Sequence, residues 1–202
     1  TKTTTTMDFA QPHIDAYKMA AIIYLTDELI EDSAFDLVNI LVSRFAERIG
    51  EEEDSVIANG TGVGQPVGIF VNAAVPTRVC TATGLTFNDI INLIYDLPVR
   101  YRANARFIIH PNIVRELRLL QDLVGRYMWQ DPVAVGQPST IQGYPVIENY
   151  WAPVTQIAFG DFKTGYWLGD RQKMTVKITN DTETTFTQDK TAIRVVERIG
   201  GD

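Results

Sequence analysis

The chain carries a single cysteine, Cys80, and two histidines, His13 and His110. One thiol cannot close an internal disulfide, and no cysteine-based metal site can be assembled from it. Two histidines are too few for a His-rich metal centre and make a Ser-His-Asp triad hard to build. No stretch approaches the roughly 20 apolar residues that a membrane span needs. The opening residues lack a basic region followed by an apolar run, so no signal peptide is read there. Basic residues are in deficit as well. Eighteen Lys plus Arg stand against 25 Asp plus Glu, a formal charge of −7, with a pI near 4.9. A protein that grips nucleic acid by neutralising phosphates carries the opposite balance.

What is present is an ordinary globular composition, 202 residues with 45% hydrophobic and 21% charged, long enough to bury a real core. The chain opens on Thr1-Lys2-Thr3-Thr4-Thr5-Thr6 without Met, so its start is not taken as the start of the gene. Met19, Ala21, Ile23 and Leu25 alternate as a strand does, and Thr26–Asp32 reads as a short helical turn. Ser33 with Asp36 resembles a capping box. Phe35, Val38, Leu41, Val42, Phe45 and Ile49 then recur at three- and four-residue steps. They predict a long helix over Ala34–Ala58 with one buried stripe, stopped by Asn59-Gly60. A second helix is expected from Thr86, with Asp89 in the capping-box position, and closes near Pro98. Arg106–Ile109 suits a short buried strand, and Pro111 sits at the first position of a third helix. Strands are expected at Tyr144–Glu148, Gln156–Phe159, Thr164–Asp170, Lys173–Thr179 and Thr184–Glu197. Helices come first and strands later, with one α/β stretch between: an α+β protein.

The candidate chemical sites are weak. Gly60-Thr61-Gly62-Val63-Gly64 invites a phosphate-loop reading, but such loops leave a strand and enter a helix, and here a helix ends before the loop. A structural turn is the preferred account. Glu51-Glu52-Glu53-Asp54 cannot converge on one ion, because consecutive helical residues point in different directions. His110, just before Pro111, reads as a cap or a surface residue; His13 has no evident partner, and a nucleophilic Cys80 lacks a nearby base. Asn59-Gly60-Thr61 and Asn180-Asp181-Thr182 match the glycosylation pattern as chance occurrences. Trp129, Trp151 and Trp167 are not interleaved with basic residues, which suits core or subunit contacts rather than base stacking. No catalytic residue, cofactor site or metal site is assigned.

Several short stretches, in order, resemble the major capsid proteins of HK97-type tailed phages. Leu25–Ser33 resembles the lead into that family's long spine helix. Gly60-Thr61-Gly62 with Gln65-Pro66-Val67-Gly68-Ile69 resembles its helix end and "G-x-G…P-x-G-I" loop. Tyr101–Pro111 is similar to the strand that follows, and Leu119-Leu120-Gln121-Asp122 with Gly125-Arg126-Tyr127 to "L-K-D…G-R-Y". Gln142–Val146 fits "G-x-P-V", and Phe159-Gly160-Asp161-Phe162 with Tyr166 and Asp170-Arg171 fits "F-G-D-F…Y…D-R". Each match is short, but their order and spacing from Leu25 to Arg171 make the set specific.

The resemblance implies a shell-building subunit and not an enzyme. It implies an HK97-like capsid fold with a spine helix over Ala34–Ala58, a peripheral β-rich domain and an axial α/β domain. On this chain the peripheral part falls at residues 1–80, the axial domain at 81–156, and a mainly β return to the peripheral domain at 157–202. Thr1–Leu25 is then the returning strand of the family's extended loop. Tyr127–Gly136, with Met128 and Trp129, is expected toward the capsomer axis, and Thr179–Thr185, with Asp181 and Glu183, near a three-fold contact. The implied partners are copies of itself in pentamers and hexamers, scaffold, a maturation protease and a portal. The implied setting is a virion enclosing DNA, assembled in the host cytoplasm without sequence-specific DNA binding. The alternative is an encapsulin-like nanocompartment shell around an enzyme cargo.

Overall fold

A computed structural model of the chain describes residues 14–80, 84–122, 124–129 and 139–201. The expectations for residues 1–13, His13 included, and for 130–136 lie outside them. In chain order the elements are β1 (Tyr17–Thr26), α1 (Asp27–Glu31), α2 (Leu37–Asn59), α3 (Phe87–Asp96) and α4 (Val99–Arg102). They continue with β2 (Arg106–Ile109), α5 (Pro111–Leu119), β3 (Thr140–Ile141), β4 (Tyr144–Glu148) and β5 (Ile157–Gly160). The last four are α6 (Phe162–Gly165), β6 (Leu168–Thr179), α7 (Glu183–Phe186) and β7 (Lys190–Gly201).

The strands make two sheets. One has the order β1-β7-β6 and is antiparallel throughout; the other has the order β3-β4-β2-β5. In the second, β2 runs parallel to β4 and antiparallel to β5. The main core lies here, because β2 turns Phe107 and Ile109 to full burial against Ile90 and Ile94 of α3 and Ile113, Val114 and Leu117 of α5. Phe159 stacks on Phe107 with ring centres 4.4 Å apart, and Tyr144 meets both rings edge-on. Such aromatic packing adds to the area term. The expected caps are in place: Thr86 and Asp89 form the capping box of α3, and His110 Nδ1 accepts from Asn112 N at 3.0 Å at the start of α5.

The first sheet is sided. On β7, Ile193, Val195 and Ile199 are buried on the face that carries Glu197, the residue whose charge reaches Glu53 of α2. On the opposite face Ala192 and Val196 are buried, while Ile22, Tyr24, Arg194 and Arg198 are exposed.

Several expectations need correcting. Ser33 does not cap the long helix; its hydroxyl bonds Phe35 N and O, and the N-cap is Asp36, which accepts from Asn39 N at 3.2 Å. The helix therefore starts at Leu37, and its 23 residues span about 35 Å. The stripe is only partly buried: Ile49, Val56 and Ala58 are covered, while Val38, Leu41, Val42 and Phe45 are half-buried and Phe35 is 74% exposed. The two strands expected at 164–170 and 173–179 are a single strand, β6, preceded by the helical turn α6. Register shifts near Arg171 and Lys173 explain the break in its alternation. The strand expected from Thr184 begins at Lys190, because Thr182 and Thr185 hydroxyls bond each other and close the turn α7. In the second sheet β5 bonds to β2, which carries that sheet as far as Gly160.

Candidate subunit-contact site

Two segments singled out as contact surfaces are shaped by local chemistry. The first follows α5. Asp122 Oδ1 accepts from Val124 N and Arg126 N, both at 2.9 Å, and Arg126 Nε reaches Oδ2 at 3.2 Å. These bonds, led by the one from the Arg126 backbone, hold the Asp122 carboxyl below the usual range, since hydrogen bonds to the ionised form favour it. Gly125 has φ +82°, a conformation that glycine adopts freely, and Tyr127 bridges back to Gln121. The spacing Asp122…Gly125-Arg126-Tyr127 is thus a closed turn rather than a chemical motif.

This turn puts Tyr127 and Met128 on the surface, 51% and 45% exposed, beside an open depression of about 630 Å³ shared with Phe87, Thr140 and Gln142. Trp129 sits deeper than these two. It is 9% exposed, its Nε1 donates to Thr140 O at 3.0 Å, and the Arg118 guanidinium lies 5.2 Å over its ring. Trp129 belongs to the main core cluster and forms the inner wall of that depression, so it anchors the turn to the core.

The second segment joins β6 to β7. Asp181 is exposed, with its backbone N 3.3 Å from Thr179 Oγ1, and Glu183 opens α7. Thr185 is fully buried and satisfied by Thr182, which leaves Phe186 78% exposed at the tip. The two segments belong to different sheets and form no common site.

The glycine loop is structural. Gly68 N donates to Gly60 O at 2.8 Å, and Ile69 N and Phe70 N return to Ile57 O and Ala58 O at the end of α2. A Cβ on Gly60 would stand 2.1 Å from Pro66 O, and one on Gly68 2.4 Å from Gly60 N. Gly60 itself has φ −57°, so it is there for close backbone approach and not for a left-handed cap. Tyr166 Oη donates to Val67 O at 3.0 Å, and Val67 N to Gly201 O at 3.3 Å. With Gly62 N donating to Pro66 O at 3.3 Å, these bonds close the loop on itself and tie it to the end of β7.

Residues 1–202 match the Phage capsid family in full. The chain belongs to that family. It is 24% identical to the major capsid protein of Enterobacteria phage HK97 over 172 residues, which is 84% of this chain and 44% of the relative. Against the major capsid protein of Escherichia phage T5 it is 24% identical, covering 70% of this chain and 33% of the relative. The chain thus spans less than half the length of these curated relatives. Among solved structures, the capsid of an empty GTA particle matches with a TM-score of 0.81 and 28% identity, over 94% of this chain and 70% of that one. An encapsulin shell protein, SrpI of Synechococcus elongatus, matches with a TM-score of 0.66 and 14% identity, over 94% of this chain and 69% of that one. That last likeness concerns the fold alone. The fold is an HK97-like capsid fold with α2 as its spine helix; two of the family motifs fall on the loop after α2 and the turn after α5.

Proposed function

We propose that this chain is the shell-building portion of a major capsid subunit. Copies associate into pentamers and hexamers and close an icosahedral shell around phage DNA. The match of the whole chain to the capsid family carries this reading. Its surface supports it: Phe35, Val79, Trp167 and Phe186 are each exposed by two-thirds or more and belong to widely separated segments. A subunit in a closed lattice needs several contact patches, paired head-to-tail. Obligate contacts of this kind use apolar area.

On this reading α2 and the β1-β7-β6 sheet form the peripheral part, and α3–α5 with the four-stranded sheet form the axial part, up to Gly160. Tyr127 and Met128 face the capsomer axis, and the Asp181–Glu183 turn lies near a three-fold contact. Scaffold, a maturation protease and a portal are the further partners of such a subunit, which enters the virion after assembly in the host cytoplasm. The net charge of −7 suits a container that must not hold DNA tightly.

The test is electron microscopy of particles formed by the full-length gene product, with analysis of their contents. DNA and a portal vertex support the phage reading. A protein cargo in a small closed shell replaces it with a nanocompartment, and a persistent monomer contradicts both.

A further inference from the structure

The face of the β1-β7-β6 sheet opposite Ile193 and Val195 exposes basic side chains in an acidic protein. Register places Lys18 opposite Arg198 and Ile22 opposite Arg194 across β1 and β7. Across β7 and β6, Arg194 stands opposite Lys177. Side chains on directly paired residues share a face. The four cations therefore occupy a patch of about 13 by 10 Å, from strand rise and spacing, around a shallow depression of about 190 Å³. None of the four makes an ion pair among the described residues. Ile22 and Tyr24, 54% and 51% exposed, lie on the same face.

The same chain holds the complement. From Met19 to Ser43 there is no Lys or Arg, and α1 with the segment after it presents Glu28, Glu31 and Asp32 to solvent. These three also have no ion pair among the described residues. Leu29 and Phe35 stand among them, 52% and 74% exposed. The other acidic run is a poorer match, because Glu51 is taken by Arg48 at 2.8 Å and Glu53 turns toward Glu197.

We propose that the basic sheet face, through Lys18, Lys177, Arg194 and Arg198, receives the acidic, apolar lobe Glu28–Phe35 of a second copy of this chain. The inference rests on the shell reading and specifies one of its contacts. Two patches on one molecule that fit each other make a head-to-tail contact, which propagates around a ring. Copies that each carry −7 repel unless such patches are matched, and matched patches also set register and encounter rate. A polynucleotide backbone would satisfy the cations and leave Ile22 and Tyr24 in water, whereas Leu29 and Phe35 cover them. The second copy is the better occupant.

The experiment is charge reversal and swap in the full-length protein, with particles counted by microscopy and sedimentation. Lys177→Glu with Arg194→Glu is expected to lower particle yield at least tenfold while the subunit keeps its melting temperature. Glu28→Lys with Glu31→Lys is expected to do the same, and the four changes together to restore yield to within about threefold of the parent. Normal assembly of either double variant, or folded variants that the swap does not rescue, overturns the proposal. Closed but empty particles from the basic-face variant also overturn it, since the face then serves the phosphate backbone. If a variant fails to fold, or the unaltered protein forms no particle, a mixture of isotopically heavy and light parent protein treated with a carbodiimide decides. Mixed-isotope crosslinks from Lys18 or Lys177 to Glu28, Glu31 or Asp32 support the contact, and their absence refutes it. Absence of particles from the unaltered protein counts separately, against the shell reading.

Discussion

Trp129 separates an anchor from a contact. Replacing it by Ala removes a side chain that is 9% exposed, and large-to-small changes of that kind cost about 3–5 kcal/mol. Part of the loss is the Nε1 bond to Thr140 O and the Arg118 guanidinium over the ring, together about 1–2 kcal/mol. Trp129→Phe keeps most of the ring and gives up the bond, so it is expected to cost about 1–2 kcal/mol. For a chain of this size each kcal/mol moves the melting temperature by about 2–4 °C. The Ala variant is therefore expected to melt about 6–20 °C lower and the Phe variant about 2–8 °C lower. Calorimetry or near-UV circular dichroism of the unassembled protein, at fixed concentration, reads this directly. Tyr127→Ala and Met128→Ala serve as controls and are expected to shift stability by less than about 1 kcal/mol. If Trp129→Ala leaves the melting temperature unchanged and impairs assembly alone, the anchor reading is refuted and Trp129 is a contact residue.

Five further outcomes follow from the same structure. Gly60→Ala places a Cβ against Pro66 O, a backbone atom, and is expected to cost more than about 2 kcal/mol in urea unfolding. Gly64→Ala meets no atom but sits at φ +71°, so about 1–2 kcal/mol is expected. Burial first, then the charges of Glu197, Asp170 and Asp54, raise the Glu53 carboxyl above its ordinary range. A carboxyl whose folded value is raised contributes stability below its unfolded value and loses it as pH rises through the folded one. Glu53→Gln is accordingly expected to melt higher than the parent at pH 7, with the difference closing near pH ~4, as a pair of melting series would show. Asp122 has the opposite sign: its lowered carboxyl supports the turn above the unfolded value and loses that support on acidification. Asp122→Ala is expected to speed trypsin cleavage after Arg126 at pH 7, and equal cleavage rates would contradict the turn's dependence on that carboxylate. Reversal of Asp181 and Glu183 together is expected to impair particle formation without lowering the melting temperature.

The sequence made the locally determined parts of this fold legible. Thr86 with Asp89, and His110 before Pro111, are complete capping signals within four residues, and both are realised. Arg106–Ile109 was readable because Phe107-Ile108-Ile109 is a short apolar run bounded by Arg106 and His110-Pro111. The long helix was readable from its periodicity, but the depth of its burial was not: Val38, Leu41 and Phe45 have the spacing of core residues and are left half-covered by their own chain. Periodicity reports that a stripe will be buried, not whether the same molecule buries it. The region after Phe159 failed for another reason. The bulges in β6 reset its alternation, and the Thr182–Thr185 hydroxyl pair turns β-branched residues into a helical turn. Both effects come from bonds that single-residue preferences do not encode. The basic sheet face was invisible in sequence, because Lys18, Lys177, Arg194 and Arg198 are brought together only by the pairing of β1, β7 and β6.

The central claim, that this is the shell-building part of a capsid subunit, is tested most directly by imaging the full-length gene product with its mass measured in solution by light scattering. The account predicts pentameric and hexameric rings or closed polyhedral shells, with a mass that is a multiple of the subunit. A stable monomer under conditions in which the protein is folded would contradict it.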